Sequence, residues 1–254
     1  MLEARGIDYR RDGQQILAGI DVTVADGESI AVVGPSGSGK TSLLAILAGL
    51  TKPTAGTVTI DGAPLRGFAG PNLGVAVVLQ GYGLVALLSA AENVEVALRA
   101  AGRPAKTARQ AALAALGRLG LEPHADQLIE ELSGGQQQRT AVARALALEP
   151  RLLIADEPTA ELDPVARTLA LARMFEVAEG GGALVLATHD PEVAERCDRV
   201  IDLSQLCAGT RPSGERAEPR YSAGQPLRRR RCPGDCDCVG RGRRGWRRWW
   251  CRRG

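Results

Sequence analysis

The stretch Gly34-Pro35-Ser36-Gly37-Ser38-Gly39-Lys40-Thr41-Ser42 decides how the rest of this chain is read. Up to Thr41 it fits the pattern G-x-x-x-x-G-K-[ST], which carries meaning only between a strand and a helix. Here the setting is right: residues 29–33 are a largely apolar run suited to a buried strand, and residues 41–50 are an apolar-rich segment of helical length. Glycines let such a loop curl until successive N–H groups point at phosphate oxygens, and the following helix N-terminus adds partial positive charge. Lys40 is placed to bridge the β- and γ-phosphates of a nucleotide, and the Thr41 hydroxyl to ligate Mg²⁺. The alternative, a glycine-rich turn with a solvated lysine, does not account for the flanking elements.

Outward from this loop, strands and helices alternate. Residues 16–24 form a mixed apolar run, residues 57–60 alternate before an Asp61-Gly62 turn, and residues 73–79 read as a second buried strand. Residues 91–121 are rich in alanine and leucine at helical spacing (Val94, Leu98, Leu113, Leu116), broken at Gly102-Arg103-Pro104, and are expected to be a helical insert. Further helices are expected over 136–148, 164–179 and 191–196, with strands over 152–155 and 183–188. That alternation implies a mainly parallel sheet covered by helices.

The strand at 152–155 runs into Asp156-Glu157-Pro158. Two carboxylates at a strand end are common by themselves. Parallel to the strand that feeds the phosphate loop, however, they would lie with Asp156 beside the Mg²⁺ and Glu157 near the γ-phosphate. Asp156 then holds the metal, and Glu157 polarises the attacking water as a general base.

Leu132-Ser133-Gly134-Gly135-Gln136-Gln137-Gln138-Arg139 adds a second anion-binding helix start, far along the chain from the first. With it the sequence resembles the ATP-binding subunits of ABC transporters, over about residues 1–203. The motifs of that family occur in its order: Tyr9, Gly34 to Thr41, Gln80, Ser133 to Gln136, Asp156-Glu157, Asp163 and His189.

The resemblance implies an α/β fold: a P-loop NTPase core with a mainly parallel sheet, an N-terminal antiparallel β subdomain and an inserted α-helical subdomain at about 82–140. It also implies a head-to-tail dimer. Each ATP would be sandwiched between the phosphate loop of one subunit, residues 34–42, and Ser133-Gly134-Gly135-Gln136 of the other. Tyr9 would stack on adenine, Gln80 would contact the Mg²⁺ and report to an integral membrane permease, and Asp163 would lie at the dimer interface. His189 would reach the γ-phosphate. Lys40, Gln80, Glu157 and His189 are thus the candidate catalytic residues, with Thr41, Gln80 and Asp156 around the metal. The stretches Ala91 to Val94, Ser133 to Arg139, Asp156 to Asp163 and Thr188 to Val193 are most similar to the lipoprotein-release, macrolide-export and cell-division branch of the family. Gly81 to Leu88 departs from that branch, because Leu84-Val85-Ala86-Leu87 has no proline.

Two other readings compete. A soluble ABC ATPase of DNA repair or translation would normally carry two cassettes or a long coiled-coil insert. A nucleotide-binding adaptor without catalysis would not need Lys40, Glu157 and His189, all present here. An ATP-driven transporter subunit is the expectation, with no nucleic-acid partner.

Composition sharpens this. The chain of 254 residues has a net charge of +3, but the average conceals two unlike pieces. Residues 204–254 hold 14 Arg and 4 acidic residues, a net of +10, with all three Trp and five of the six Cys; residues 1–203 carry a net of −7. The family likeness stops after residue 203. A zinc reading of Cys232, Cys236 and Cys238 fits no standard spacing, and the arginine runs suit anionic lipid or RNA. Arginine without lysine, alongside Gly, Pro, Cys and Trp, matches GC-rich DNA read out of frame. A frameshift product is therefore the expectation for 204–254, with a disordered tail as the alternative. No stretch approaches the roughly 18 apolar residues of a membrane span, and the N-terminus lacks the pattern of a secretory signal. The expected location is cytoplasmic, peripheral on the inner face of the cell membrane.

Overall fold

The computed structural model describes residues 1–68 and 73–204, so the expectations for the remainder of the arginine-rich tail fall outside the described residues. Along the chain come β1 (Leu2–Arg11), β2 (Gln14–Val24), β3 (Ser29–Val33), α1 (Lys40–Leu47), β4 (Ala55–Ile60), β5 (Ala63–Pro64) and β6 (Val75–Val78). They are followed by α2 (Ala90–Ala100), α3 (Ala105–Gly117), α4 (Gly134–Ala147), β7 (Leu152–Asp156), α5 (Pro164–Glu179), β8 (Ala183–Ala187), α6 (Pro191–Arg196) and β9 (Arg199–Asp202).

Among the described residues these strands form two sheets. One is parallel throughout, in the order β6-β7-β8-β3-β9; the other is antiparallel, in the order β2-β1-β4-β5. The chain is thus α/β with an antiparallel β subdomain at its start, as the resemblance implied. Every residue of β7 and β8 is buried, which is why both read as unbroken apolar runs: helices or a second sheet cover each face.

Period-two geometry sorts those strands between two cores. Leu153, Ala155, Leu184 and Leu186 face the core shared with α2, α3, α4 and α5. Leu152, Ile154, Val185, Ile30 and Val32 face the core that holds α1 and the inner side of the antiparallel sheet. Helix α1 therefore lies between the two sheets, and the phosphate loop that precedes it is gripped from both sides.

Several limits differ from the sequence reading. The strand expected at 73–79 shrinks to Val75–Val78, with Leu73 and Leu79 exposed; at its start Gly74 takes a left-handed φ of 69° and breaks the pleat. In α3 the buried stripe is Ala108, Ala112 and Leu116, and Leu113 faces outward. Leucine looked like the core residue there, but short alanines are what allow α3 to approach α2 and α4 closely. The helical region runs through α4 to Ala147, and residues 82–88 are non-helical chain ahead of α2.

Local chemistry sets the helix starts. Ser89 caps α2 in a reciprocal box with Glu92, and Asp190 caps α6, each satisfying helix N–H groups for about 1 kcal/mol. Cys197 is buried as expected of a small hydrophobe, and burial pushes its thiol up to about 12. Among the described residues no helix is long and apolar enough to cross a membrane.

Candidate active site

Parallel pairing sends the C-terminal ends of β3, β6, β7 and β8 to one edge of the sheet, where ligands bind in open α/β folds. That edge opens into a cleft of about 570 Å³. Gly34, Pro35, Ser36, Gly37, Gly39, Lys40, Thr41 and Ser42 line it, together with Gln80, Asp156, Glu157 and His189. The strand order adds something the sequence did not reveal. β7 is not the neighbour of β3; β8 lies between them and delivers His189 to the middle of the site.

Within the loop, Gly39 is the N-cap of α1 at a φ of 94°. A Cβ there would come within 2.8 Å of Leu17 Cδ2, so both the backbone angle and the packing against β2 require glycine. Lys40 Nζ donates to the carbonyls of Gly34 (2.8 Å) and Pro35 (3.2 Å), which holds the ammonium over the mouth of its own loop. Ser38 is buried and turned away from the cleft wall.

Asp156 ends β7 and is 5% exposed, and its Oδ2 is buried without a hydrogen-bond partner. An orphaned carboxylate oxygen is costly unless something cationic meets it. The described residues contain no cluster of three or more His, Cys, Asp or Glu suited to a metal. A hard cation here would instead take Asp156, the Thr41 hydroxyl, the Gln80 amide and ligand oxygens, a donor set suited to Mg²⁺.

Glu157 follows in a left-handed conformation, φ 47°, which costs a non-glycine residue about 1–3 kcal/mol. Three contacts hold it there. Its N–H donates to the Ala187 carbonyl (3.1 Å), its carbonyl accepts from Gln138 Nε2 (2.9 Å), and its Oε2 lies 2.9 Å from His189 Nδ1. The loop that carries His189 is itself tied down, because Asp190 pairs with Arg167 of α5 and its N–H donates to Thr188 Oγ1.

The other expected residues stand apart from this cleft. Tyr9 lies in β1 opposite Leu17 and packs on the core around α1; Arg11 and Ile16 line the cleft in that region. Ser133 is the N-cap of α4, bonded reciprocally with Gln136, and this end of α4 does not line the cleft. Gly134 and Gly135 press against the turn after Glu157: a Cβ on Gly134 would lie 2.1 Å from Glu161 Oε2. Asp163 caps α5 through the Val165 and Ala166 N–H groups, both at 3.0 Å, and the Ala166 bond foremost holds its carboxyl below the usual range.

Three further residues were not singled out from sequence: Gln138, Tyr82 and Glu161 line the cleft. The Tyr82 hydroxyl is pushed up to about 12 by burial and then by its hydrogen bond to the Glu161 carboxylate.

A strand–loop–helix phosphate cradle beside a carboxylate pair, on a parallel sheet, defines a P-loop nucleotide-binding protein. Related proteins narrow the class. The ABC transporter family model matches residues 17–160, and the chain belongs to that family of ATP-binding proteins. It is 38% identical over 208 residues to the lipoprotein-releasing system ATP-binding protein LolD of Paramagnetospirillum magneticum, covering 79% of this chain and 92% of that one. It is 39% identical over 212 residues to an ABC transporter ATP-binding protein of Mycobacterium tuberculosis, covering 80% of this chain. The match spans 64% of the length of that mycobacterial relative. Among solved structures, the dimeric post-hydrolysis state of the ATP-binding cassette MJ0796 bound to ADP and Pi matches with a TM-score of 0.73 at 34% identity, covering 80% of this chain and 94% of that one.

Proposed function

We propose that this chain hydrolyses ATP to drive an ABC transporter, through residues 1–203 acting as one nucleotide-binding domain in a homodimer on a separate membrane permease. The observation that carries this reading is the convergence of Lys40, Gln80, Asp156, Glu157 and His189 on one cleft, where Asp156 has a buried Oδ2 with no hydrogen-bond partner. Phosphoryl transfer to water needs positioning and charge stabilisation rather than covalent help, and those residue types supply both.

In this reading the amides of residues 34–42 and Lys40 bind the triphosphate. Asp156, Thr41 and Gln80 would hold Mg²⁺, which when bound would neutralise phosphate charge. Glu157 takes the proton of the attacking water through its carboxylate, and His189, 2.9 Å from it, orients that carboxylate toward the γ-phosphate. The Ser133–Gln136 end of α4 lies outside its own cleft, which leaves it free to close on the nucleotide of a second copy. That solved relatives such as MJ0796 are dimeric supports the pairing. Because the γ-phosphate would be shared by two subunits, binding closes the dimer and hydrolysis releases it. The protein then works at the inner face of the membrane, wherever its permease lies.

Purified full-length chain should release phosphate from ATP in the presence of Mg²⁺, and Glu157→Gln should cut release to a small residual rate while ATP still binds. Turnover that stays near the wild-type rate in Glu157→Gln sinks the reading.

A further inference from the structure

Helix α4 begins at the Ser133-Gly134-Gly135-Gln136 end and carries Gln138 less than a turn further on. Gln138 is 2% exposed, so each polar end of its amide must find a partner. Both do, and both partners lie on the turn after β7. Nε2 donates to the Glu157 carbonyl at 2.9 Å, and Oε1 accepts from the Glu161 N–H at 3.0 Å. Glu157 sits at a left-handed φ of 47° with its N–H tied to Ala187 of β8. A peptide whose N–H is fixed by the sheet and whose carbonyl is fixed by α4 leaves its Cα–Cβ bond one direction. Along that direction the carboxylate meets His189.

We propose that Gln138 is a positioning residue for Glu157, holding its backbone so that the carboxylate is aimed for catalysis. This rests on the ATPase reading of the cleft. An amide of this length supplies a donor for one carbonyl and an acceptor for one N–H: methionine has no donor and only a weak thioether acceptor, and ionised glutamate has no donor. The same helix reaches the segment after Gln80, since Arg144 Nη2 donates to the Tyr82 carbonyl at 2.7 Å and its other terminal nitrogen to that of Gly83. Helix α4 thus bonds both the turn that carries Glu157 and residues 82–83 of the same chain.

The test uses the full-length chain with Gln138→Met and Gln138→Glu, each alone and combined with Glu157→Gln, read by single-turnover and steady-state ATP hydrolysis. Melting by circular dichroism reports folding. We expect kcat to fall by about tenfold or more with KM for ATP within about threefold, since a displaced general base loses rate rather than ground-state binding. In the Glu157→Gln background neither substitution should lower the residual rate further. A folded variant with kcat within about twofold of wild type overturns the proposal, as does an equal proportional loss in both backgrounds. If Gln138→Met does not melt cooperatively, Gln138→Glu, which keeps the acceptor for Glu161, decides alone. Loss of cooperative melting in both overturns the proposal in favour of a purely structural amide. Wild-type turnover that Glu157→Gln leaves intact fails the ATPase reading itself, and appears in the same assay as a separate result.

Discussion

His189 Nδ1 lies 2.9 Å from Glu157 Oε2, joining the ends of two parallel strands that pair side by side. The carboxylate side chain is only 16% exposed while the imidazole is 73% exposed, so the acid is held from within and the histidine reaches over it from solvent. Removing the imidazole should free the carboxylate to rotate while leaving the phosphate loop intact. His189→Ala is expected to lower kcat by roughly 10²-fold, the low end for a misdirected general base, with ATP affinity nearly unchanged. Phosphate release and fluorescent-nucleotide titration check the two halves separately.

The unpaired Asp156 Oδ2 makes a different prediction. Asp156→Asn keeps the shape but removes the charge that a divalent cation needs, so the Mg²⁺ concentration for half-maximal turnover should rise by about tenfold or more. Titrating Mg²⁺ at saturating ATP measures it, and chelation with EDTA should stop the wild-type enzyme. An unchanged Mg²⁺ requirement in Asp156→Asn would remove Asp156 from the metal site.

Gly134 separates stability from assembly. The atom that a new Cβ would meet is the far end of the flexible Glu161 side chain, so Gly134→Ala should fold with a melting temperature within a few degrees of wild type, roughly the effect of less than 1 kcal/mol. The displaced carboxylate would then crowd the N-terminal end of α4. In the Glu157→Gln background, ATP-dependent dimer formation seen by size-exclusion chromatography should be lost on adding Gly134→Ala. Dimerisation that persists would place the contact between subunits elsewhere.

Asp198 predicts a pH effect far from the cleft. Its Oδ2 accepts from the Ser29 hydroxyl at 2.6 Å and the Ser29 N–H at 2.9 Å, tying the start of β9 to the start of β3. The hydroxyl bond, followed by the amide, holds its carboxyl below the ordinary value of 3.8. A depressed carboxyl stabilises the fold fully above its unfolded value, and that contribution disappears as pH falls through the lower folded value. Melting temperatures between about pH 6 and pH 2 should therefore fall less steeply in Asp198→Asn than in wild type. Parallel slopes would show that the Ser29 link carries no titrating stability.

What could be read in advance was whatever is decided within a few residues. Gly34 to Thr41, Asp156-Glu157 and Ser133 to Gln136 announce themselves because their chemistry is written in contiguous spacing. Leu113 misled because burial on a helix depends on which neighbour covers each face, and α3 is covered along its alanines. Tyr9 sits on the core around α1 while Arg11 and Ile16 line the cleft, a difference set by the irregular pairing of β1 with β2 near Tyr9. Gln138 was invisible because its partners stand 19 and 23 residues away.

Taken alone, the amino-acid order determined the strand–loop–helix around Gly34 to Thr41, the apolar strands and the family, because local backbone preferences and contiguous motifs suffice for each. It did not determine the strand order. β6, β7, β8 and β3 are all short, apolar and interchangeable by pattern, so only long-range pairing could put β8 between β7 and β3. That placement brings His189 against Glu157, and the packing of α4 over the same edge brings Gln138 beneath it.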